Sequence, residues 1–322
     1  MLHCATAWVL AAEVASAESE SATEADPVQS CPTRHKELDA IIANVKKGGD
    51  IPSRILEATK PFLGAAFELN PTGEGAGSID DEPFVVLNRF DCTTFIETVL
   101  ALAFSETSDD FCRLLSRVRY GGCLPAFENR LHFPYSQWVT ENERQGFFRV
   151  IKSAPAMAHR ERVDVENWLK FMPENAMYSN INFESRESLS SIAEISKRLG
   201  RSYSVTIWSR EVAKLLQTTS FAKGDIVGFI GLGGDLSRYP GERNSITHMG
   251  IVVSVDPVVV IRAASQVFGR VTDASILSIT RRRGVANVRA VLLRPGRGVH
   301  PGLSAVDPSN VRARRSLSAA RC

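Results

Sequence analysis

The segment Phe90-Asp91-Cys92-Thr93-Thr94-Phe95-Ile96-Glu97 constrains the fold most, because a polar turn there runs straight into an apolar stretch of helical period. Phe95, Ile96, Val99, Leu100, Leu102 and Ala103 recur at helix spacing rather than in strand alternation, so the spacing predicts a helix over 92–104. Asp91 is the expected N-cap. Capping places Cys92 in the first turn, where unpaired backbone N–H groups and the positive end of the macrodipole stabilise a thiolate. The same N–H groups suit an oxyanion. The bland alternative is a small buried core cysteine, since free cysteines are among the most buried residues.

Far downstream, Thr247-His248-Met249-Gly250-Ile251-Val252 offers that thiol a base. His248 opens a β-branched run through Val255 and follows the turn-like segment 240–245, so it reads as the start of a strand leaving a loop. Residues 224–230 read as a second strand just before it. A cysteine of ordinary pKa, about 8.5, needs a helix N-terminus or a nearby imidazolium to react at neutral pH, and the pattern supplies both.

Helical patterns dominate the first two-thirds of the chain, over 36–45, 51–64, 92–104, 108–118, 135–143, 160–171 and 188–199, with a short helix over 209–216 after the extended 204–207. Strands cluster after Asp225. The expected class is α+β, a helix-rich N-terminal part packed on an antiparallel sheet of about five or six strands. Residues 31–296 read as one domain, with a helical insertion between Cys92 and His248 that suits the wall of a cleft. Residues 1–30 form a signal-like leader: a short apolar run precedes Ala15-Ser16-Ala17, although Glu13 interrupts it and no basic stretch comes first. This points to a periplasmic or secreted protein, the alternative being a disordered cytoplasmic leader. Residues 297–322 form a basic, Ser/Pro/Gly-interrupted tail that is expected to be disordered. No segment reaches membrane-spanning length. With a net charge of only +2, no nucleic-acid partner is expected.

Taken together, Phe62-Leu63-Gly64-Ala65-Ala66-Phe67, the 73–77 glycine loop, Phe90-Asp91-Cys92-Thr93-Thr94-Phe95 and Arg130-Leu131-His132-Phe133 with Trp138 resemble one subfamily. Gly224-Asp225-Ile226-Val227, Thr247-His248-Met249-Gly250-Ile251 and Leu293-Arg294-Pro295 fit it too. It is the N-acetylmuramoyl-L-alanine amidase-like branch of the NlpC-type, papain-like cysteine peptidases, and the resemblance runs from about residue 35 to 296. It implies a papain-like NlpC-type fold and hydrolysis of the amide between the lactyl group of N-acetylmuramic acid and L-alanine. Cys92 would be the nucleophile and His248 the base, acting on small muropeptides, with no metal or organic cofactor. Cleavage of a γ-D-glutamyl-diaminopimelate bond within the stem is the alternative enzyme reading, and a weakened muropeptide binder is the third.

Two positions depart from the subfamily pattern. Ala263 stands where a histidine would orient the base, and Phe67 where a tyrosine hydroxyl would face the site. Arg262 would point to the opposite face of its strand, while Ser265 or Gln266 could substitute for the missing group. Asp91, Arg130 and His132 are candidate substrate-binding residues, suited to sugar hydroxyls and carboxylates. Arg130 could instead pair with a carboxylate such as Asp91, and Trp138 reads as core. The cysteines Cys4, Cys31, Cys92, Cys112, Cys123 and Cys322 show no zinc spacing. Cys112 and Cys123 flank a Gly-Gly turn and could close a short disulfide in an oxidising compartment.

Overall fold

A computed structural model describes residues 35–72, 85–123, 129–152, 157–163, 203–218, 221–230, 242–243, 246–281 and 288–296. Four helices open it: α1 His35–Lys46, α2 Ile51–Thr59, α3 Cys92–Phe104 and α4 Ser108–Tyr120. Two short strands, β1 Ala66–Phe67 and β2 Arg89–Phe90, lie between α2 and α3. A π-helical turn, Pro134–Val139, leads into α5 Thr140–Gln145. The remaining elements are β3 Phe148–Val150, β4 Met157–Val163, β5 Tyr203–Glu211, α6 Val212–Thr218, β6 Ile226–Ile230, β7 Glu242–Arg243, β8 Ile246–Ser254, β9 Val260–Ser265, β10 Arg270–Ser275, α7 Ile276–Arg281 and β11 Arg289–Pro295.

The expected α+β architecture is present as a curled sheet with helices against it, but the sheet is larger than anticipated. Among the described residues, eleven strands run in the order β2-β1-β10-β9-β8-β6-β11-β5-β4-β7, with β3 also on β11. One pairing, β1 with β2, is parallel. The surplus comes from strands of two or three residues, which carry too little periodicity to be read from sequence, and from β4 and β5 upstream of Asp225. Residues 160–163, expected as helix, belong to β4, which pairs with β5 from Met157↔Ser209 to Val163↔Tyr203. A long antiparallel partner overrides local helix preference there. Residues 209–211, also expected as helix, end β5 before α6 begins. The expected helix over 188–199, the rest of 160–171, the 73–77 loop, the leader and the tail lie outside the described residues.

The sheet separates two cores. On one face α1 to α4 pack on Ile226, Met249, Ile251, Ala264, Val271, Val291 and Leu293; on the other, Val227, Phe229, Val252, Ile261, Ala263 and Leu292 pack with α6 and α7. Helix α3 is the centre of the first core, with every residue from Thr94 to Ala103 buried. Burying an aliphatic or aromatic side chain contributes about 1.5–3 kcal/mol, so the apolar run that predicts this helix also fixes its depth. Phe90 stacks edge-on with Phe62 at 5.0 Å and with Phe95 at 5.8 Å, which locks the entry to α3 against the end of α2. Two stretches of the subfamily pattern meet in one contact: Arg294 on β11 donates from Nε and Nη2 to Oδ1 and Oδ2 of Asp225, at 2.9 and 2.8 Å.

Candidate active site

The local sequence folds the Cys92 end of α3 as a complete capping box. Asp91 Oδ1 accepts from the Thr94 N–H at 2.7 Å, and the Asp91 N–H donates to Thr94 Oγ1 at 3.0 Å. Such a cap contributes about 1 kcal/mol, and it holds Cys92 as the first helical residue. Because β2 pairs with β1 at Phe67↔Phe90, Phe67 lies opposite the residue two before Cys92, half-buried against the helix-side core. Phenylalanine at this position preserves that packing and brings no hydroxyl.

On the sheet, the Met249 N–H of β8 donates to the Cys92 sulfur. The thiol therefore rests on the backbone of the strand that carries His248, one residue away. Alternation turns Met249 and Ile251 toward the helices and His248 toward the second core, where its ring stacks on Phe229 with centroids 6.1 Å apart. Gly250 is required at the next position on that face. A Cβ there would fall 2.2 Å from Ile261 Cγ2 and 3.1 Å from the Ala263 Cβ. Ala263 thus shares a face with His248 and Gly250 and offers it no polar group. Arg262, paired with Ile251 across β8 and β9, points the other way. It grips Asp273 through Nε at 2.7 Å and Nη2 at 2.9 Å, and it reaches Thr59 Oγ1 at 2.9 Å.

Electrostatics correct one expectation. The helix start was expected to favour a thiolate, yet burial, and then the Asp91 carboxylate, push the Cys92 thiol up to about 12. The Met249 amide, the Thr93 side chain and the Cys92 amide pull in the opposite direction and do not prevail. The residue keeps some exposure to solvent, so the upward direction is what matters: at neutral pH the sulfur rests protonated. Capping explains part of this, because the residue that starts the helix also sets a negative charge beside the sulfur.

The three candidate binding residues are placed differently. Asp91 is engaged in the cap. Arg130 is only 6 % exposed; its Nη2 lies 3.5 Å from Glu97 Oε2 and its guanidinium 5.9 Å from the Tyr120 ring centroid. Glu97 on α3 is thus a carboxylate partner of Arg130. His132 is half-buried, and its N–H donates to the Arg130 carbonyl at 3.0 Å. Trp138 is core, as expected, at 1 % exposure. Cys112 and Cys123 are joined in a disulfide, as their spacing suggested. Among the described residues no group of three or more His, Cys, Asp or Glu side chains could hold a metal ion, and no helix is long and apolar enough to cross a membrane.

Sequence reasoning missed Glu97 and its second partner, Arg119, whose Nε donates to Glu97 Oε2 at 2.8 Å. The available signal was a carboxylate inside an otherwise apolar helix, which demands buried partners.

A buried helix that presents a cysteine at its first turn, docked on a strand carrying a histidine, sits here in an α+β protein with helices against a curled sheet. The chain belongs to the AmiA-like, N-acetylmuramoyl-L-alanine amidase-like family, whose pattern matches residues 57–284. A crystal structure of a protein from Legionella pneumophila is similar with a TM-score of 0.67 at 18 % identity, covering 82 % of this chain and 96 % of that one. An N-acetylmuramoyl-L-alanine amidase from Bacteroides uniformis is similar with a TM-score of 0.58 at 20 % identity, covering 78 % and 99 %. At these identities the likeness is one of fold. No curated protein sequence matches the chain.

Proposed function

We propose that the protein hydrolyses the amide between the lactyl carbonyl of N-acetylmuramic acid and L-alanine in small muropeptides, with Cys92 as nucleophile and His248 as base. The observation that carries this reading is the Met249 N–H on the Cys92 sulfur, which brings the helix-borne thiol against the His248 strand in a chain of this family.

The chemistry follows from the resting state. A protonated thiol does not attack, so on this reading His248, which stacks on Phe229 on the other face of β8, must swing toward the sulfur and take the Sγ proton as it approaches the carbonyl. The Met249 N–H then stabilises the charge on sulfur, and the Thr93 N–H, in the first turn of α3 outside the capping box, is a donor available to the tetrahedral oxyanion. The imidazolium returns its proton to the departing amine of L-alanine, leaving the lactyl group acylated on sulfur. Water, deprotonated by His248, releases the acid. No step calls for a metal or an organic cofactor.

Two features support a periplasmic or secreted location: membership of a cell-wall amidase family, and the Cys112–Cys123 disulfide, which persists in oxidising compartments. The partners on this reading are peptidoglycan fragments. Ala263, which offers no polar group on the face it shares with His248, favours a slow enzyme or a muropeptide binder as the second reading. Incubation with a muropeptide, followed by mass analysis of the products, tests both. Release of the free stem peptide supports the amidase. Release of muramoyl-dipeptide points to cleavage at γ-D-glutamyl-diaminopimelate, and binding without any product supports the binder.

A further inference from the structure

Glu97 lies five residues after Cys92 on α3, about 7.5 Å further along the helix axis at the usual rise per residue. Its side chain is 2 % exposed, as is that of Arg119. Its carboxylate joins three pieces of chain: its own helix, the end of α4 through Arg119, and the 129–133 segment through Arg130. Main-chain bonds close the join, because the Leu131 N–H donates to the Arg119 carbonyl at 2.8 Å and the His132 N–H to the Arg130 carbonyl at 3.0 Å. Both arginines that meet Glu97 thus also hold, through their own carbonyls, the residues leading to His132.

The charges are equally specific. Two guanidiniums face one buried carboxylate, and Asp91, whose field reaches both Glu97 and Cys92, brings the set to neutrality. A buried ionic cluster gains little stability over well-packed apolar residues of the same volume. Its distinctive property is fixed geometry, since a charge without its partner is costly to leave inside.

We propose that Glu97 is a positioning residue: through Arg119 and Arg130 it fixes the segment that carries His132 against α3, so that His132 meets the substrate. This rests on the amidase reading for its kinetic consequence, but not for its structural one. In the substrate-free protein, Glu97→Gln should increase the rate of carbethoxylation of His132 by diethylpyrocarbonate several-fold, measured by peptide mass spectrometry. Asp273→Asn, which breaks the separate Arg262 pair, should leave that rate unchanged. With muropeptide as substrate, Glu97→Gln should raise KM about tenfold while kcat changes much less, the signature of misplaced binding rather than lost chemistry. Circular dichroism confirms folding, and if Glu97→Gln does not fold, Arg130→Lys, which keeps the charge but loses the planar fork, is read in the same two ways. A folded variant with the wild-type His132 rate and the wild-type KM overturns the proposal. If the wild-type protein cleaves no muropeptide, the amidase reading fails, and the His132 rate alone decides this inference.

Discussion

Glu97 and Asp225 are each only 1 % exposed, and they meet arginine in different ways. Asp225 faces a single guanidinium, both oxygens matched to the fork of Arg294, with the Ala222 N–H adding a third bond at 2.8 Å. Arg294 keeps contact with water, its side chain 30 % exposed. Glu97 faces two guanidiniums in a site closed to solvent and depends on Asp91 for balance. The first arrangement is self-sufficient and ties the start of β6 to β11. The second is not self-sufficient, and it is built into the helix that presents the thiol. Matched pairs clamp a fold; unmatched ones bind neighbouring elements to each other's placement.

The largest effect expected is loss of the reaction itself. Cys92→Ala should lower turnover by more than about a thousandfold, as removal of a nucleophile does elsewhere, while thermal unfolding stays near wild type. Unchanged turnover would mean that the thiol is not the nucleophile. Next comes the contrast between the two carboxylates. Asp225→Asn should cost about 2–3 kcal/mol, at the low end for a buried pair because Arg294 can turn to water, and leave KM per folded molecule unchanged. Glu97→Gln should show the reverse emphasis, with KM moving more than stability. Equal behaviour in urea unfolding and in kinetics would erase the distinction. Breaking the Cys112–Cys123 link, as in Cys112→Ala/Cys123→Ala, should cost about 3 kcal/mol by the loop-closure model, read as a lower urea midpoint. Because α4 also carries Arg119, a rise in KM should accompany that loss.

A smaller and more diagnostic effect concerns pH. The folded Cys92 thiol titrates at about 12, above its unfolded value, so the folded state holds a proton that the unfolded chain has released. Its contribution is complete below the unfolded pKa and falls away as pH rises toward 12. Cys92→Ala should flatten the decline of stability over that alkaline range, and an unaltered slope would refute the assignment. The smallest change expected is a gain. Ala263→His, on the face shared with His248 and above the side-chain-free Gly250, should raise kcat several-fold by orienting the imidazole.

The helix from Cys92 to Phe104, its Asp91 cap and α4 were legible because period, cap and apolar content agree, and agreement across levels is what makes a segment readable. The strand carrying His248 was legible for the same reason. The edge strands were not, since Ala66–Phe67 and Arg89–Phe90 owe their conformation to partners far away in sequence. The candidate site was legible as a list of residues, but its electrostatics were not. Helix position alone favours a thiolate, whereas the depth of the sulfur and the nearness of Asp91 are tertiary facts. Arg130 was recognised as a residue with a purpose, while the carboxylate it serves was hidden in a helix already explained by its apolar neighbours.

Because Cys92 rests as a protonated thiol beside a carboxylate, electrophilic fragments screened at neutral pH will react first with the exposed, ionised cysteines of other proteins. A more reactive warhead would only widen that disadvantage. A selective covalent inhibitor should instead borrow the shape of the substrate, so that the sulfur is unmasked only when the ligand occupies the site and His248 takes the proton.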